Sequence, residues 1–444
     1  MTIARTINKR MIVGLGMTGL SAARWCQRQG YAFDLCDTRA AVPGLVDIQA
    51  EFPLAQIITG PLQAGILSAY DQLIVSPGVS VREPAIVVAA EAGVEISGDV
   101  QLFAERCQQP IIAITGSNGK STVTTLVGEL LAAAGKQVAV GGNIGVPVLD
   151  LPPADIYVLE LSSFQLETTR NLNAAAAVIL NLSEDHLDRY DGMAGYLQAK
   201  QRIFQGCRMA VVNRDDAATA APADLPAIYF SLDRPLAGSF GLQRIQGESW
   251  ILAGDQPLIA ASDLKIKGQH NLANVMAALA LVQAVGVDPK QVLPALREFA
   301  GLEHRCQWLG RHNGVDFYND SKGTNVGSTL AAVNGLGPEI NGKIWLLAGG
   351  EGKGQDFLPL AVPCSRFTAA VITFGADGEK IATSVSEHCR VQRCTTLGEA
   401  FQYACKHAQP GDVILLSPAC ASFDQFRNYV HRGEYFRDLV GAVL

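Results

Sequence analysis

Three α/β domains, each built on a largely parallel sheet, are what this 444-residue sequence predicts. Short apolar runs alternate with helix-period segments along the whole chain, the pattern of strands covered by helices on both faces. At about 150 residues per domain, the length accommodates about three of them. The 44 glycines point to many tight turns and close backbone approaches.

The first block opens with a strand at 11–14, followed by a helical stretch at 20–29 that Gly30 ends, and a second strand closing at Leu35-Cys36 before Asp37. A strand at 72–76 follows, and the boundary falls near residue 98, so that 1–98 forms the first domain. Strands at 111–115, 156–160, 177–181 and 209–213 build the second. Between Tyr229 and Asp263 the pattern changes to short polar-interrupted strands at 240–245 and 249–252, which reads as a hairpin insertion. A helix closes this block, with Asp288 as N-cap, Pro289 in the first turn, Val292, Leu293, Leu296 and Phe299 on one face and Gly301 after it. The second domain is therefore 99–301 and the third 302–444, with strands at 344–349, 371–375 and 413–417.

Composition excludes several classes. At 48% hydrophobic and 17% charged residues, disorder is ruled out. No uninterrupted apolar stretch reaches the roughly 18 to 20 residues that span a bilayer, so no membrane association is expected. The start, MTIARTINKRMIVGLG, runs directly into a strand without signal-peptide features, so the protein is expected in the cytoplasm. Ten cysteines form no C-x-x-C pair and indicate neither a zinc site nor a disulfide framework. The net charge of −7, without a basic stripe, makes nucleic acid an unexpected partner.

Three segments carry chemistry. Gly14-Leu15-Gly16-Met17-Thr18-Gly19 lies between a strand and a helix, where backbone amides can meet a pyrophosphate, and Asp37-Thr38-Arg39 follows at the end of the next strand. The Asp37 carboxylate is either a ribose reader or a strand-end turn residue. The second segment runs from the apolar strand Ile111-Ile112-Ala113-Ile114 into Thr115-Gly116-Ser117-Asn118-Gly119-Lys120-Ser121-Thr122. It departs from a strict Walker A at Ile114 but keeps the groups that touch phosphate: turn amides, the Lys120 ammonium and the Ser121 hydroxyl for Mg²⁺. Third, Ile156-Tyr157-Val158-Leu159-Glu160 ends a strand in a carboxylate, where a further metal contact is expected. His186, in the acidic run Ser183 to Arg189, reads by itself as a salt-linked surface residue, and Lys200 as a solvated helix lysine. Asn271, His304-Arg305, 318–325, 349–354 and 416–426 add polar clusters, most of them directly after strands.

Taken in order, these segments resemble the Mur ligases, ATP-dependent amino-acid-adding enzymes of peptidoglycan precursor synthesis. Thr115 to Thr122 alone fits any Mur ligase or a folylpolyglutamate synthetase. Tyr318 to Asn325 and Ser417-Pro418-Ala419-Cys420-Ala421-Ser422-Phe423-Asp424-Gln425-Phe426, with the first glycine turn, are similar to the members that add D-glutamate.

The resemblance implies an N-terminal Rossmann-like domain, a central P-loop-type ATPase sheet and a C-terminal Rossmann-like domain. It implies ATP and two Mg²⁺ ions as cofactors and UDP-N-acetylmuramoyl-L-alanine and D-glutamate as substrates; a monomer is expected because nothing in the sequence demands more. Gly116, Ser117, Asn118, Gly119, Lys120, Ser121, Thr122, Asn271, Arg305, Asp320 and Lys322 would bind ATP. Ser121, Glu160, His186 and Lys200, the last as a carbamate, would hold metal, and Lys120, Glu160, His186 and Lys200 would be catalytic. Gly14, Gly16, Thr18, Gly19, Asp37, Thr38, Arg39, Ser76, Gly78 and Asn143 would bind the UDP substrate; Thr324, Lys353, Ser422 and Phe423 would hold D-glutamate. Closure of the third domain onto the second is expected before chemistry. The rival reading, a nicotinamide-dependent oxidoreductase, rests on Gly14 to Gly19 and Asp37 and leaves the Gly-Lys-Ser turn unexplained.

Overall fold

The computed structural model describes residues 7–186 and 189–444; Leu187 and Asp188, inside the acidic run around His186, lie outside the described residues. The chain forms three sheets in sequence order. The first contains β1 (Arg10–Val13), β2 (Phe33–Asp37), β3 (Ile57–Thr59), β4 (Gln72–Val75) and β5 (Glu95–Ser97), all parallel, in the order β3-β2-β1-β4-β5. That order puts the glycine turn after β1 beside the loop after β4, the crevice where open α/β sheets take ligands.

The second sheet contains β6 (Ile111–Thr115), β7 (Val138–Gly142), β8 (Ile156–Glu160), β9 (Ala176–Ile179), β10 (Ala210–Asn213), β11 (Ala227–Phe230), β12 (Phe240–Ile245), β13 (Glu248–Ala253) and β14 (Gln256–Ala260). Its order is β14-β13-β12-β11-β10-β9-β6-β8-β7. β6 is buried along its full length because helices cover both faces, and its Ile-Ile-Ala-Ile run is the sequence such a strand requires. Each Ile or Val so buried contributes about 1.5–3 kcal/mol of transfer free energy. The expected hairpin is β12–β13, joined by Gln246-Gly247 with φ of 52° and 89°, the two left-handed residues of a type I′ turn. β14 adds a third antiparallel strand to it.

The single helix expected after Asp288 is instead a 3₁₀ turn, Pro289–Val292, followed by a short helix, Leu293–Glu298. Asp288 caps the 3₁₀ turn, accepting from the Lys290 amide at 2.9 Å. Pro294 is the reason for the break: it has no N–H for the Lys290 carbonyl, and its ring crowds that oxygen.

The third sheet contains β15 (Gln307–His312), β16 (Val315–Asn319), β17 (Ile344–Gly349), β18 (Thr368–Phe374), β19 (Val391–Arg393) and β20 (Val413–Leu416), in the order β15-β16-β20-β17-β18-β19. β15 is the antiparallel edge and the rest is parallel. The first two units share one hydrophobic core: Ile12, Leu35 and Trp25 pack in the same cluster as Leu149, Leu159 and Ile179. Among the described residues, no helix is long and apolar enough to cross a membrane.

Candidate active site

The phosphate loop follows from local backbone chemistry. After β6, Gly116 (φ 149°) and Gly119 (φ 83°) take conformations only glycine adopts easily, and the helix Lys120–Ala133 begins at once. A Cβ on Gly119 would stand 2.5 Å from Asn274 Oδ1, so the turn also needs glycine for space. The amides of Ser117 and Asn118 already donate to Asn181, to its carbonyl and its Oδ1, both at 2.9 Å. The donors facing an anion are therefore the N-cap amide of Gly119 and the first-turn amides of Lys120, Ser121 and Thr122, which have no intrahelical partner. Lys120 Nζ folds back and donates to the Gly116 and Ser117 carbonyls, each at 2.9 Å. Burial is the main cause that lowers its pKa, against the opposing charge of Glu160.

β6 lies between β8 and β9, and this register puts Glu160 beside the loop. Glu160 is buried; its Oε1 accepts from Asn143 Nδ2 at 2.7 Å while its Oε2 has no hydrogen-bond partner. Lys200, on the helix Gly192–Gln201, is not the solvated lysine that sequence alone suggests: it is 1% exposed. Its Nζ donates to the Gly116 carbonyl at 2.9 Å and to Thr115 Oγ1 at 3.3 Å. Burial foremost, and then the charge of Lys120, drives its pKa well below the ordinary lysine value. His186 takes a left-handed φ of 55° and packs edge-on against Phe164 at 4.8 Å. Burial lowers its pKa, with Asp185 opposing.

The third domain reaches into this corner. Arg305 Nη2 donates to Ser121 Oγ at 2.7 Å, Ser328 Oγ to Asn118 Oδ1 at 2.6 Å, and Asn325 Nδ2 to Asp185 Oδ2 at 3.2 Å. A cavity of about 310 Å³ lies between the two units, lined by Asn118, Gly119, Thr122, Asn271, Arg305, Asp320 and Lys322 from the expected ATP set. Gly116, Ser117, Lys120 and Ser121 do not line it; the Ser117 hydroxyl turns to the Ser183 carbonyl at 3.0 Å. Asn181, Asn274, His270 and Phe230 also line the cavity, and sequence reasoning missed them. Asn181, at the end of an expected strand, and His270 and Asn274, in the helix-opening segment around Asn271, carried a positional signal; Phe230 did not. The Asp320 carboxyl accepts from the Cys306 amide at 3.1 Å and Ser417 Oγ at 2.7 Å, and burial raises its pKa to about 6.

The closing face depends on a glycine. A Cβ on Gly327 would stand 2.6 Å from Ser183 Oγ and 3.1 Å from Asn118 Nδ2, across the domain contact. Gly327→Ala is therefore expected to hold the domains apart and reduce turnover about tenfold, with the folded state intact. Steady-state rates together with solution scattering would check this; unchanged turnover would show that the contact is not needed.

A second cavity, of about 490 Å³, sits on the first sheet. Gly14, Gly16, Thr18, Asp37, Thr38, Arg39, Ser76, Gly78 and Asn143 all line it, joined by Gln165 and Gly142. Gly19 does not. Its Cβ would fall 1.8 Å from the Gly14 carbonyl oxygen, so glycine at this position lets helix and strand touch. Asp37 is held by its own loop: Leu15 N, Arg39 N and the Arg39 guanidinium all donate to it, and Arg39 chiefly depresses its pKa to about 2. That occupation speaks against the ribose-reading role of the oxidoreductase alternative.

Of the expected D-glutamate residues, Thr324, Lys353, Ser422 and Phe423, none lines either of these two cavities. Backbone bonds between Glu351 and Ala421, at 3.0 and 2.9 Å, join the Lys353 loop to the 416–426 segment. The Lys353 charge is close enough to both His186 and Lys322 to lower their pKa values, as a lesser cause beside burial. Ser422 is buried whereas the Phe423 ring stands out, 66% exposed.

A phosphate loop covered by a third domain, with a nucleotide-sized cavity on an adjoining Rossmann-type sheet, defines a three-domain P-loop enzyme. Family comparison narrows this. The Mur ligase MurD-like N-terminal domain matches residues 8–98, the Mur ligase middle domain 114–282, and the Mur ligase glutamate ligase domain 304–420. The UDP-N-acetylmuramoylalanine–D-glutamate ligase of Pseudomonas aeruginosa is 50% identical over 444 residues, covering 99% of each chain. That of Marinobacter nauticus is 49% identical over 444 residues, again covering 99% of each. Among solved structures, the UDP-N-acetylmuramate-alanine ligase MurC of Thermotoga maritima superposes with a TM-score of 0.62 at 20% identity, covering 98% of this chain and 99% of that one. MurF of Acinetobacter baumannii gives 0.61 at 20% identity, covering 81% and 87%. The chain belongs to the Mur ligase family and is an ATP-dependent ligase.

Proposed function

We infer that the protein joins D-glutamate to UDP-N-acetylmuramoyl-L-alanine at the expense of ATP, in the cytoplasm and as a monomer. One observation carries the geometry: Asn143 lines the cavity on the first sheet and donates to Glu160 beside the phosphate loop. On this reading the far end of the UDP-linked substrate and the phosphate end of ATP would come together at that side chain.

A carboxylate and an ammonium do not condense in water at neutral pH. Transfer of the γ-phosphoryl group to the alanyl carboxylate makes an acyl phosphate and ADP. The neutral amine of D-glutamate then attacks the carbonyl carbon, loses a proton, and the tetrahedral intermediate expels phosphate. Phosphoryl transfer between anions needs positioning and charge neutralisation above all. Lys120, Arg305 and the helix N-terminus supply positive charge, and Asn271, Asp320 and Lys322 bind ATP from the cavity between domains. Lys353, Thr324, Ser422 and Phe423 hold D-glutamate, with Lys353 pairing a carboxylate.

The donor set suits Mg²⁺. The partnerless Oε2 of Glu160 is a buried anionic oxygen waiting for a cation, with the Ser121 hydroxyl and His186 on the same corner. When bound, two Mg²⁺ ions supply charge neutralisation at the phosphates. Carbamylation of Lys200, in which the neutral Nζ attacks CO₂ and releases a proton, would add a second anionic ligand. At the ordinary lysine pKa, freeing the amine at pH 7 costs about 4 to 5 kcal/mol. The burial that lowers the Lys200 pKa removes part of that cost.

ATP-dependent phosphate release with UDP-N-acetylmuramoyl-L-alanine, across D-glutamate, L-glutamate, L-alanine, L-lysine and meso-diaminopimelate, tests the reading. Turnover with D-glutamate alone is expected; use of another amino acid overturns the specificity, and no turnover with any overturns the reaction.

Lys322 gives this site a pH dependence. Burial chiefly, and the Arg305 charge next, lower its pKa from 10.5 to about 8. The folded-state pKa lies below the ordinary value, so the ammonium dominates at pH 7 and is lost as pH rises through 8. The KM for ATP should climb between pH 7.5 and 9, by about tenfold at the upper end. Lys322→Arg, which stays charged, should flatten that limb; a parallel rise in both proteins would assign it elsewhere.

A further inference from the structure

The helix Tyr429–Gly441 carries Arg432, whose side chain is fully buried although the surrounding His-Arg-Gly-Glu-Tyr-Phe-Arg-Asp run looks like a solvated helix face. Among the described residues it has no ion-pair partner. Instead the guanidinium forks between two loops. On one side Nε donates to Ser321 Oγ at 3.0 Å and Nη2 to the Ser321 carbonyl at 2.8 Å. On the other Nη2 donates to the Cys420 carbonyl at 3.0 Å and Nη1 to that of Ala421 at 3.3 Å. Ser321 lies between Asp320 and Lys322 of the nucleotide cavity, and Ala421 precedes Ser422 and pairs with Glu351 of the Lys353 loop.

The same helix holds the nucleotide loop at further points. Ser321 Oγ donates to the Tyr429 carbonyl at 2.8 Å, Lys322 Nζ lies 3.8 Å over the Tyr429 ring, and Asn319 Nδ2 donates to the Gly433 carbonyl at 3.0 Å. A buried cation satisfied only by neutral oxygens is costly unless its geometry is used, and a planar fork of five donors is the group that can fix two backbones at once.

We propose that Arg432 is a positioning residue that locks the nucleotide-binding loop at 320–322 to the amino-acid-binding loop at 420–422, so that one guanidinium sets the geometry of both subsites. The proposal rests on the assignment of these loops to ATP and D-glutamate. Lysine cannot span both loops, because a single ammonium replaces the fork. Ser321→Ala removes one leg on the nucleotide side and leaves the bonds to Cys420 and Ala421 in place.

The test is steady-state kinetics of the full chain, wild type, Arg432→Lys and Ser321→Ala, with the melting temperature of each. Arg432→Lys is expected to raise the KM for ATP and for D-glutamate together by about tenfold or more, leaving that for the UDP substrate within twofold. Ser321→Ala should raise the KM for D-glutamate several-fold although the hydrogen bonds of its hydroxyl run to Tyr429 and Arg432 and to no described residue of 416–426; a role confined to the nucleotide loop would move only the KM for ATP. Normal KM values for both substrates in Arg432→Lys, or an ATP-only effect in Ser321→Ala, overturn the proposal. If Arg432→Lys does not fold, the cross-effect in Ser321→Ala decides. A wild-type enzyme without D-glutamate-dependent turnover would instead sink the functional assignment, which the wild-type assay reads separately.

Discussion

Lys120→Ala is expected to lower turnover by about a thousandfold, some 4 kcal/mol of transition-state stabilisation, while leaving the fold intact. Lys120 is half-buried at the start of the helix Lys120–Ala133, and among the described residues its hydrogen-bond acceptors are the two loop carbonyls of Gly116 and Ser117. It is thus a cation stored inside the phosphate loop, and bringing a triphosphate to that loop gives it the anionic partner it lacks. Alanine removes the charge where negative charge moves in the transition state. Phosphate release measures the loss, and titration with a fluorescent ATP analogue separates binding from chemistry. Turnover within tenfold of wild type would mean that the helix amides and Arg305 suffice.

Lys200→Ala is expected to cost about a hundredfold to a thousandfold in turnover, and Lys200→Arg to fare no better. The Arg variant separates two explanations. If the ammonium matters because it donates to the Gly116 carbonyl, a guanidinium can take over that bond. If the working group is an anionic carbamate, arginine cannot form it and activity stays lost. Because the pKa is driven down by burial, the neutral amine gains population as pH rises, so carbamate occupancy should increase with pH and bicarbonate. ¹³C NMR of protein equilibrated with labelled bicarbonate should show one slow-exchanging carbamate resonance that Lys200→Ala lacks. Full activity in Lys200→Ala would remove the carbamate from the mechanism.

Legibility in the sequence followed how local each feature is. β6, β8 and β17 matched their expected limits because strands buried on both faces are continuous apolar runs. The three-residue strands β3, β5 and β19 were not recognised, since three residues with polar members establish no period. Pro294 split a helix that the apolar spacing alone made continuous. The fingerprint by itself does not show that a Cβ on Gly19 would strike the Gly14 carbonyl oxygen, because that approach is set by how helix and strand pack.

From the linear chain alone came the three α/β blocks, the phosphate loop and the glycine turn, because each is set by the φ/ψ preferences and side-chain period of neighbouring residues. Convergence was decided in three dimensions. The placement of β6 between β8 and β9 brings Glu160 and Asn181 to opposite flanks of one loop. Burial turned Lys200 from a surface lysine into a group of depressed pKa, and Arg432 from a helix-face charge into a clamp on two loops. Neither change is visible in composition or spacing, because desolvation and hydrogen-bond partnership depend on which distant segments close around a side chain.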